Sequence, residues 1–290
     1  MKRSLDSYGP EDGSAAKGGE IPDLEDFPSV SYTEGTNKDW LVVCDHASNR
    51  VPRALKSLGM PAQELNSHIA WDIGANLIAS RLASRLGAPL VATGYSRLVI
   101  DCNRYPNAAD SVPAVSDDHP IAANIGIAAE AQRQRRSEFF EPYHRAIDVA
   151  LRNAENLGHT PAFISVHSCT PSMKGQYRPW HIGIGWLRDR RMASPLLEHF
   201  GGLRDVIVGD NQPYALAVGD DFTTPEHAMR RGLAHLQIEF RQDLVSTPQT
   251  ATAWADLLYD ALMAADRESW HRREQYLTPA DHVHGIDKWL

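Results

Sequence analysis

The residue types that most often carry enzyme chemistry stand directly after short apolar segments of this sequence. Each of these segments has the composition of a buried strand. The polar side chains that follow are His46 after residues 41–44, Asp101, Asn103 and Arg104 after residues 98–100, His167 after residues 163–166, and Glu239 after residues 236–238. Ligands of open α/β sheets bind beyond the carboxyl ends of the strands, so we expect these side chains to converge on one crevice.

Such a set of side chains suits the hydrolysis of an amide in a small anionic substrate. Two histidines and one carboxylate form a nitrogen and oxygen site for zinc that leaves a fourth position for water. Bound zinc lowers the pKa of water to about 7 and polarises a carbonyl group. A separate glutamate then passes the proton to the leaving amine, and arginines hold the substrate carboxylate. Manganese and iron bind similar ligands, so the identity of the metal stays open.

The elements that must position these side chains alternate between strand and helix. Short β-branched runs predict strands, and apolar residues on one helical face predict helices. The predicted strands cover residues 40–44, 88–93, 98–100, 163–166, 181–186, 205–208 and 236–238, and the predicted helices cover residues 72–86, 121–156, 195–200, 225–232 and 250–267. This order indicates an α/β layered fold with a mixed or mostly parallel sheet.

The composition limits the partners and the compartment of the protein. The chain has 290 residues, is 42% hydrophobic and carries a formal net charge of -8, so we expect no binding to nucleic acid or membrane. Anionic ligands must then be bound by local arginines. Three cysteines without a pairing pattern indicate a reducing compartment, which we take to be the cytoplasm.

The sequence divides into one main domain and two polar ends. Residues 1–37 are rich in Gly, Ser, Pro, Asp and Glu, which predicts a flexible N-terminal segment. Residues 38–270 are expected to form a single domain and residues 271–290 a polar C-terminal tail. No apolar run has the length of a secretory signal or a membrane span, so neither is expected.

Five motifs are distributed over most of the chain. They are DHASNRVP at residues 45–52, HIAWDIG at 68–74, YSRLVIDCNR at 95–104, SVHS at 165–168 and IEFRQDL at 238–244. Together they resemble the motifs of the N-formylglutamate amidohydrolase family, from about residue 40 to about residue 262. The resemblance implies a zinc-peptidase-like domain with three layers, α/β/α, around a central mixed, mostly parallel sheet.

The resemblance also implies roles for single residues. His46 and His167 resemble two zinc-ligating histidines, and Glu239 resembles the general base. The residues that resemble the set for binding the substrate carboxylate and polarising the scissile carbonyl are Arg97, Asn103 and Arg104. Arg97 is therefore expected to act both in catalysis and in substrate binding.

The first metal motif departs from that of the related zinc peptidases and deacylases. The wider group has His-x-x-Glu as its first two ligands, whereas the third residue after His46 is Asn49, a poor zinc ligand. Asp72 is our candidate for the missing carboxylate, and His68 is the second candidate. Because Asp72 stands at the start of a predicted helix, its carboxylate has helix N-capping as the alternative role.

Two acidic residues beside the motifs have two interpretations each. Asp45 either orients His46 from behind the metal site or lies at the surface. Asp101 either forms a salt bridge that holds Arg97 or Arg104 ready for substrate, or has a purely structural role.

Two further residues are candidates for substrate binding. Arg241 would share a strand face with Glu239 and reach the substrate, or it would pair with Asp243. Tyr214 lies in a turn-rich segment, where it either donates a hydrogen bond to a tetrahedral intermediate or packs on the surface.

The resulting hypothesis is a zinc-dependent amidohydrolase, with one zinc ion per chain, that cleaves an N-acylated acidic amino acid. The family's name-giving substrate is N-formyl-L-glutamate, whose hydrolysis yields formate and L-glutamate at the end of histidine catabolism. The alternatives are a deacylase of another N-acyl amino acid, a carboxypeptidase-like hydrolase, and a non-catalytic metal- or ligand-binding relative. Assembly into a homo-oligomer stays open.

Overall fold

The computed structural model describes residues 27–277 and the backbone of Lys2–Arg3. The strands in this part of the chain are β1 (Lys2–Arg3), β2 (Val30–Thr33), β3 (Trp40–Cys44), β4 (Leu90–Thr93), β5 (Val115–Ser116), β6 (His119–Pro120), β7 (Ala162–Cys169), β8 (Ser172–Met173), β9 (Gln176–Tyr177), β10 (Ile182–Gly185), β11 (Val208–Asp210) and β12 (His235–Arg241). The α-helices are α1 (Ala62–Leu65), α2 (Ala75–Leu86), α3 (Ala129–Arg135), α4 (Glu141–Asn156), α5 (Ala193–Gly201) and α6 (Pro248–Ala264).

One central sheet organises the fold. Its strand order is β1-β2-β4-β3-β7-β12-β10-β11. The four inner strands β4, β3, β7 and β12 are parallel to one another. β10 pairs antiparallel with β12 and parallel with β11, and β2 pairs antiparallel with β4. The prediction of a mixed, mostly parallel sheet in an α/β fold is confirmed.

Helices cover both faces of this sheet, because its inner strands are apolar on both sides. In β3, Val42 and Cys44 join the core under α2, α5 and α6. Leu41 and Val43 point the other way and join the core under α4. The result is the expected three-layer α/β/α arrangement.

Helix α2 begins three residues after Asp72, not at it. Gly74, at φ 83°, turns the chain into the helix, and a Cβ atom there would lie 2.3 Å from the backbone oxygen of Val245. The helix buries Ile78, Leu82 and Leu86 on one face, as their spacing predicts. Because α2 starts at Ala75, the Asp72 carboxylate does not cap it and is available for other contacts.

Residues 98–100 do not form the predicted strand. They are buried, but the chain turns there, with the Val99 N–H donating to the Ser96 carbonyl. The carbonyl of Leu98 accepts a hydrogen bond from Asn124, and that of Val99 accepts one from the buried Arg135. Side chains thus satisfy backbone groups that a strand would pair in a sheet.

Other predicted boundaries were wrong by several residues. β7 and β12 extend beyond their apolar runs, so that His167 and Glu239 lie within strands and not after them. β11 begins only at Val208, so residues 205–207 are not part of it. The helix predicted for residues 121–156 begins at residue 129 and continues through a π-helical turn, Arg136–Phe140, into α4.

The two predicted polar ends lie largely outside the described residues. Within the N-terminal segment of residues 1–37, however, Val30–Thr33 is strand β2 of the central sheet. Near the C-terminus, Trp270 is fully buried and packs edge-on against Trp40. No helix in the described part of the chain has the length and apolar character required to cross a membrane.

Candidate active site

The catalytic candidates come together on one face of the central sheet. His46 follows β3 by two residues, while His167 lies within β7 and Glu239 within β12. Glu239 is the register partner of His167 in the parallel β7–β12 pair, so both side chains point to the same face. They open into a cavity of about 590 Å³, which also exposes Arg97, Asn103 and Arg104. The predicted convergence on one crevice is observed.

His46 and His167 form a compact donor cluster with Asp72. One ligand atom each from His46, Asp72 and His167 lies within 4.8 Å of the others, and all three residues are buried. Asp72 Oδ2 lies 3.3 Å from His46 Nδ1 and 3.0 Å from His167 Nδ1. Asp72 thus joins the two predicted ligands through its side chain, and its Oδ2 also accepts a hydrogen bond from the Ser168 N–H.

The second nitrogen of each histidine faces another carboxylate. His46 Nε2 lies 2.8 Å from Asp101 Oδ1, and His167 Nε2 lies 3.0 Å from Asp45 Oδ2. The position of Asp45 in the sequence suggested that it orients His46. In the structure, its carboxylate faces His167 instead. A carboxylate behind each ring favours a proton on Nε2, which is the tautomer whose Nδ1 lone pair would be available to a metal cation.

Asp45 is the centre of a buried hydrogen-bond network. Its Oδ1 accepts hydrogen bonds from the Tyr143 hydroxyl at 2.8 Å and the Thr223 hydroxyl at 2.6 Å. Its Oδ2 accepts one from the Ser165 hydroxyl at 3.2 Å and faces His167. Burial alone would raise the pKa of Asp45, but the hydrogen bond and charge of His167 hold that pKa well below its usual range.

The protonation of the two histidines is shaped by these carboxylates. Burial disfavours the charged ring of His167, but its contacts with Asp45 and Asp72 raise its pKa well above the ordinary value. For His46, burial and Arg97 oppose protonation, whereas Asp101 and Asp72 prevail and raise the pKa. The site therefore has a strong affinity for positive charge, which a proton satisfies at each ring and a metal ion would satisfy for both.

Glu239 has the burial, the unpartnered oxygen and the raised pKa that are typical of a general base. It is buried, and its Oε2 atom has no hydrogen-bond partner among the described residues. Burial raises the pKa of this carboxyl to about 7, while His167 lowers it and Asp72 raises it further. A carboxyl with a pKa near neutrality can both accept and return a proton.

Arg97 and Asn103 of the YSRLVIDCNR motif are held by acidic residues. Arg97 Nη2 lies 2.5 Å from Asp101 Oδ2, and Arg97 Nη1 lies 3.7 Å from Asp72 Oδ1. Asp101 therefore pairs with Arg97 as well as His46. Asn103 donates to Asp221 at 2.9 Å, and its own oxygen accepts the backbone N–H groups of residues 222 and 223.

Arg104, the second arginine of that motif, has a side chain about as exposed as that of Arg97, 27% against 26%. Its Nε atom lies 3.0 Å from Asp110 Oδ2, and its Nη1 lies 4.0 Å from Asp221 Oδ1. Because the Arg104 side chain is about a quarter exposed and lines the cavity, a substrate carboxylate can approach it from solvent.

The remaining candidates separate into cavity and structural positions. Tyr214 lines the cavity and accepts a hydrogen bond from Arg178. Arg241 instead pairs with Asp243 at 2.8 Å and donates to the Tyr177 hydroxyl, and it is not among the residues that line the cavity.

The two alternative ligands in the early motifs lie away from the cluster. His68 faces the cavity and lies 3.0 Å from Asp117. Asn49 donates to the Leu65 carbonyl and to Asn66. Neither belongs to the group of three donors that Asp72 completes.

Sequence reasoning did not identify Arg178, Gln237 or Asp221, which also line the cavity. Gln237 precedes Glu239 by two residues on β12, so strand alternation was the signal that would have found it. Arg178 follows the short β8–β9 hairpin, and Asp221 lies in a loop. No periodicity marks either position, and only the tertiary fold brings them to the site.

Comparison with known proteins shows that this chain is of the amidohydrolase class. The chain belongs to the N-formylglutamate amidohydrolase family, whose sequence profile matches residues 38–246. This confirms the resemblance seen in the motifs. Comparison with curated protein sequences gives no match.

Two solved structures are similar to this chain. A gene product of Agrobacterium tumefaciens has a TM-score of 0.77 and 31% sequence identity over 82% of this chain and 96% of that chain. The N-formylglutamate amidohydrolase of Ralstonia eutropha has a TM-score of 0.52 and 16% identity over 81% of this chain and 98% of that chain. The second likeness supports the shared fold.

Proposed function

We propose that this protein hydrolyses N-formyl-L-glutamate to formate and L-glutamate with the help of one bound zinc ion. The observation that carries the proposal is the buried cluster of His46, Asp72 and His167, which faces the cavity beside Glu239 in a chain of this family. A cavity of about 590 Å³ has the size of sites for small molecules.

The donor set fits a zinc ion. Two imidazole nitrogens and one carboxylate oxygen are the ligand types of catalytic zinc sites, and the buried cluster presents all three within 4.8 Å. Asp101 and Asp45 support the rings from behind, as carboxylates do at metal-bound histidines. When bound, the ion supplies Lewis acidity, which polarises the amide carbonyl and acidifies water.

The protein's own residues then divide the remaining work. Glu239 Oε2, which has no partner among the described residues, accepts a proton from the attacking water and delivers it to the nitrogen of the departing glutamate. Arg97, fixed by Asp101, stabilises negative charge on the former carbonyl oxygen. Asn103 and Arg104 bind a carboxylate of the substrate at the cavity wall.

The proposal also includes a setting for the reaction. Cys44, Cys102 and Cys169 are buried and free, which agrees with a reducing cytoplasm. Release of L-glutamate and formate would suit the end of histidine catabolism, which is the setting that we propose. The same cavity suits other small N-acyl amino acids, so these are the next substrates to assay.

Formate release by the purified protein tests the proposal. We expect about one zinc ion per chain, with activity lost on chelation and restored by zinc. Glu239→Gln should keep the metal but lower kcat by at least about 100-fold, since it removes the proton acceptor. Glu198→Gln, at an exposed position on α5, is the matched control. Full activity in Glu239→Gln would refute the mechanism.

A further inference from the structure

The three arginines that face the cavity differ in how their charge is balanced. Arg97 is paired with Asp101 and Asp72, and Arg104 is paired with Asp110. Arg178 lines the same cavity, but no carboxylate oxygen lies within ion-pair distance of it in the described part of the chain. Its guanidinium group is therefore a buried cation of the site without a counter-charge among the described residues, whereas Lys174, which also lines the cavity, is exposed to solvent.

Arg178 is nevertheless buried and firmly held. It is 9% exposed. Its Nη2 donates to the Tyr214 hydroxyl at 2.6 Å, and its Nη1 donates to the Thr170 hydroxyl and carbonyl at 3.3 and 3.4 Å. The guanidinium carbon lies 4.8 Å from the centre of the Tyr214 ring. Neutral oxygens and one aromatic ring fix its position without neutralising it.

Burying a charge without a partner is costly, so an arginine in this state is suited to an anion that arrives from outside. Tyr214 is placed to assist. Because its oxygen accepts the hydrogen bond from Arg178, its own O–H remains a donor for the same anion. The cavity wall thus has an O–H donor beside a cation without a counter-charge.

The distance from the donor cluster suits the far end of an acidic amino acid. Thr170, which holds Arg178, follows β7 directly and lies three residues after His167. At about 3.3 Å per residue, these two positions are about 10 Å apart along the strand. An extended glutamyl side chain and the hydrogen bond to the guanidinium together cover this distance when the formyl group lies at the cluster.

We propose that Arg178, assisted by Tyr214, binds the side-chain carboxylate of the substrate and thereby sets the preference for acidic N-acyl amino acids. This inference rests on the proposed hydrolysis of N-formyl-L-glutamate. It assigns the α-carboxylate to Arg104 and Asn103, which line the same cavity. Arg178 is then a specificity-determining residue that touches substrate.

The test compares N-formyl-L-glutamate with N-formyl-L-glutamine, whose side chain has nearly the same shape without the charge. We expect the wild-type protein to prefer the glutamate substrate, and Arg178→Met to reduce that ratio of kcat/KM values by about 10- to 100-fold, as the loss of a charged hydrogen bond would. Arg152→Met, on the exposed side of α4, is the matched control and should keep the ratio. An unchanged ratio in Arg178→Met would overturn the inference.

Two further measurements separate this inference from the proposed function. Glutarate binding by calorimetry needs no turnover, and glutaramate is its neutral counterpart. Selective loss of glutarate affinity in Arg178→Met supports the inference even if neither formyl substrate is hydrolysed, a result that would refute only the proposed function. If the wild-type protein and Arg178→Met bind glutarate with equal affinity, the inference about Arg178 is overturned. N-formyl-L-glutamate 1-amide keeps the side-chain carboxylate but lacks the charge of the α-carboxylate. If Arg178→Met weakens kcat/KM for N-formyl-L-glutamate but not for this amide, Arg178 acts on the α-carboxylate and the assignment is overturned.

A conservative variant protects the test against misfolding. Arg178→Lys keeps the charge but not the planar fork, so we expect it to retain part of the preference for the glutamate substrate, reduced by about 3- to 10-fold. Thermal denaturation reports whether each variant is folded. If Arg178→Met does not fold, a wild-type preference in folded Arg178→Lys together with folded Tyr214→Phe would overturn the inference.

Discussion

Asp45 offers the sharpest test of how the proposed metal site is held. It does not belong to the cluster of three donors, yet its Oδ2 faces His167 Nε2 at 3.0 Å. Asp45→Asn preserves the size of the side chain and replaces one carboxylate oxygen by an NH₂ group. That NH₂ group must then face either the hydroxyls of Tyr143 and Thr223 or the side of His167 and Ser165.

The expected magnitude follows from these contacts. Replacing the carboxylate by an amide removes the charge that stabilises the metal-ready tautomer of His167. Loss of a carboxylate behind a metal-bound histidine typically weakens metal affinity by about 10- to 100-fold, which equals about 1.4–2.8 kcal/mol. Because Asp45 touches no substrate in this assignment, kcat at saturating zinc should fall less than zinc affinity does.

Competition with a chromogenic chelator measures the zinc affinity directly. Asp39→Asn is the matched control, since Asp39 lies 2.7 Å from His159 in a half-exposed pair remote from the cavity. That control should bind zinc as the wild-type protein does. If Asp45→Asn also binds zinc with wild-type affinity while remaining folded, then Asp45 does not position His167 for a metal.

Two further predictions concern substrate binding and acid stability. Arg104→Ala should raise KM by about 10- to 150-fold, corresponding to about 1.5–3 kcal/mol, and an unchanged KM would remove Arg104 from carboxylate binding. Burial lowers the pKa of His144 to about 4 in the folded protein. As the pH falls below 6.5, this histidine is therefore protonated in the unfolded chain but stays neutral in the folded protein. The free energy of unfolding should therefore fall between pH 6.5 and 4, by about 1.4 kcal/mol per pH unit for this group. Urea unfolding at a series of pH values should show that the slope of the unfolding free energy against pH is smaller in His144→Asn than in the wild-type protein by one proton.

The layered fold and the site were accessible from the sequence because their signals are local. Trp40–Cys44 is an apolar run that remains a strand at its predicted bounds. His46, His167 and Glu239 stand beside such runs, and the motifs around them carry the family resemblance. The position of each residue relative to a predicted strand was therefore sufficient to predict that these residues lie in one crevice.

The errors arose where local composition is ambiguous. Residues 98–100 are as apolar as a strand, but their backbone is satisfied by Asn124 and Arg135, which lie far along the sequence. Polar residues such as His167 resemble the end of a strand, although β7 continues beyond it to Cys169. The partner of Asp45 was also misjudged, because its neighbour in sequence, His46, is not its neighbour through the side chain.

The pairing of Glu239 with His167 across β7 and β12 has a consequence for folding. The donors and the base are separated by up to 193 positions, from His46 to Glu239, and they meet only when parallel strands have found their register. Contacts of such high sequence separation form late and slowly. A nascent chain therefore has no partial version of the centre, and the proposed zinc ion would bind only after β3 and β7 have paired, since these strands position His46 and His167. Because the proposed ion would bind the folded state alone, mass action would let it stabilise the whole native state against unfolding, not one loop of it.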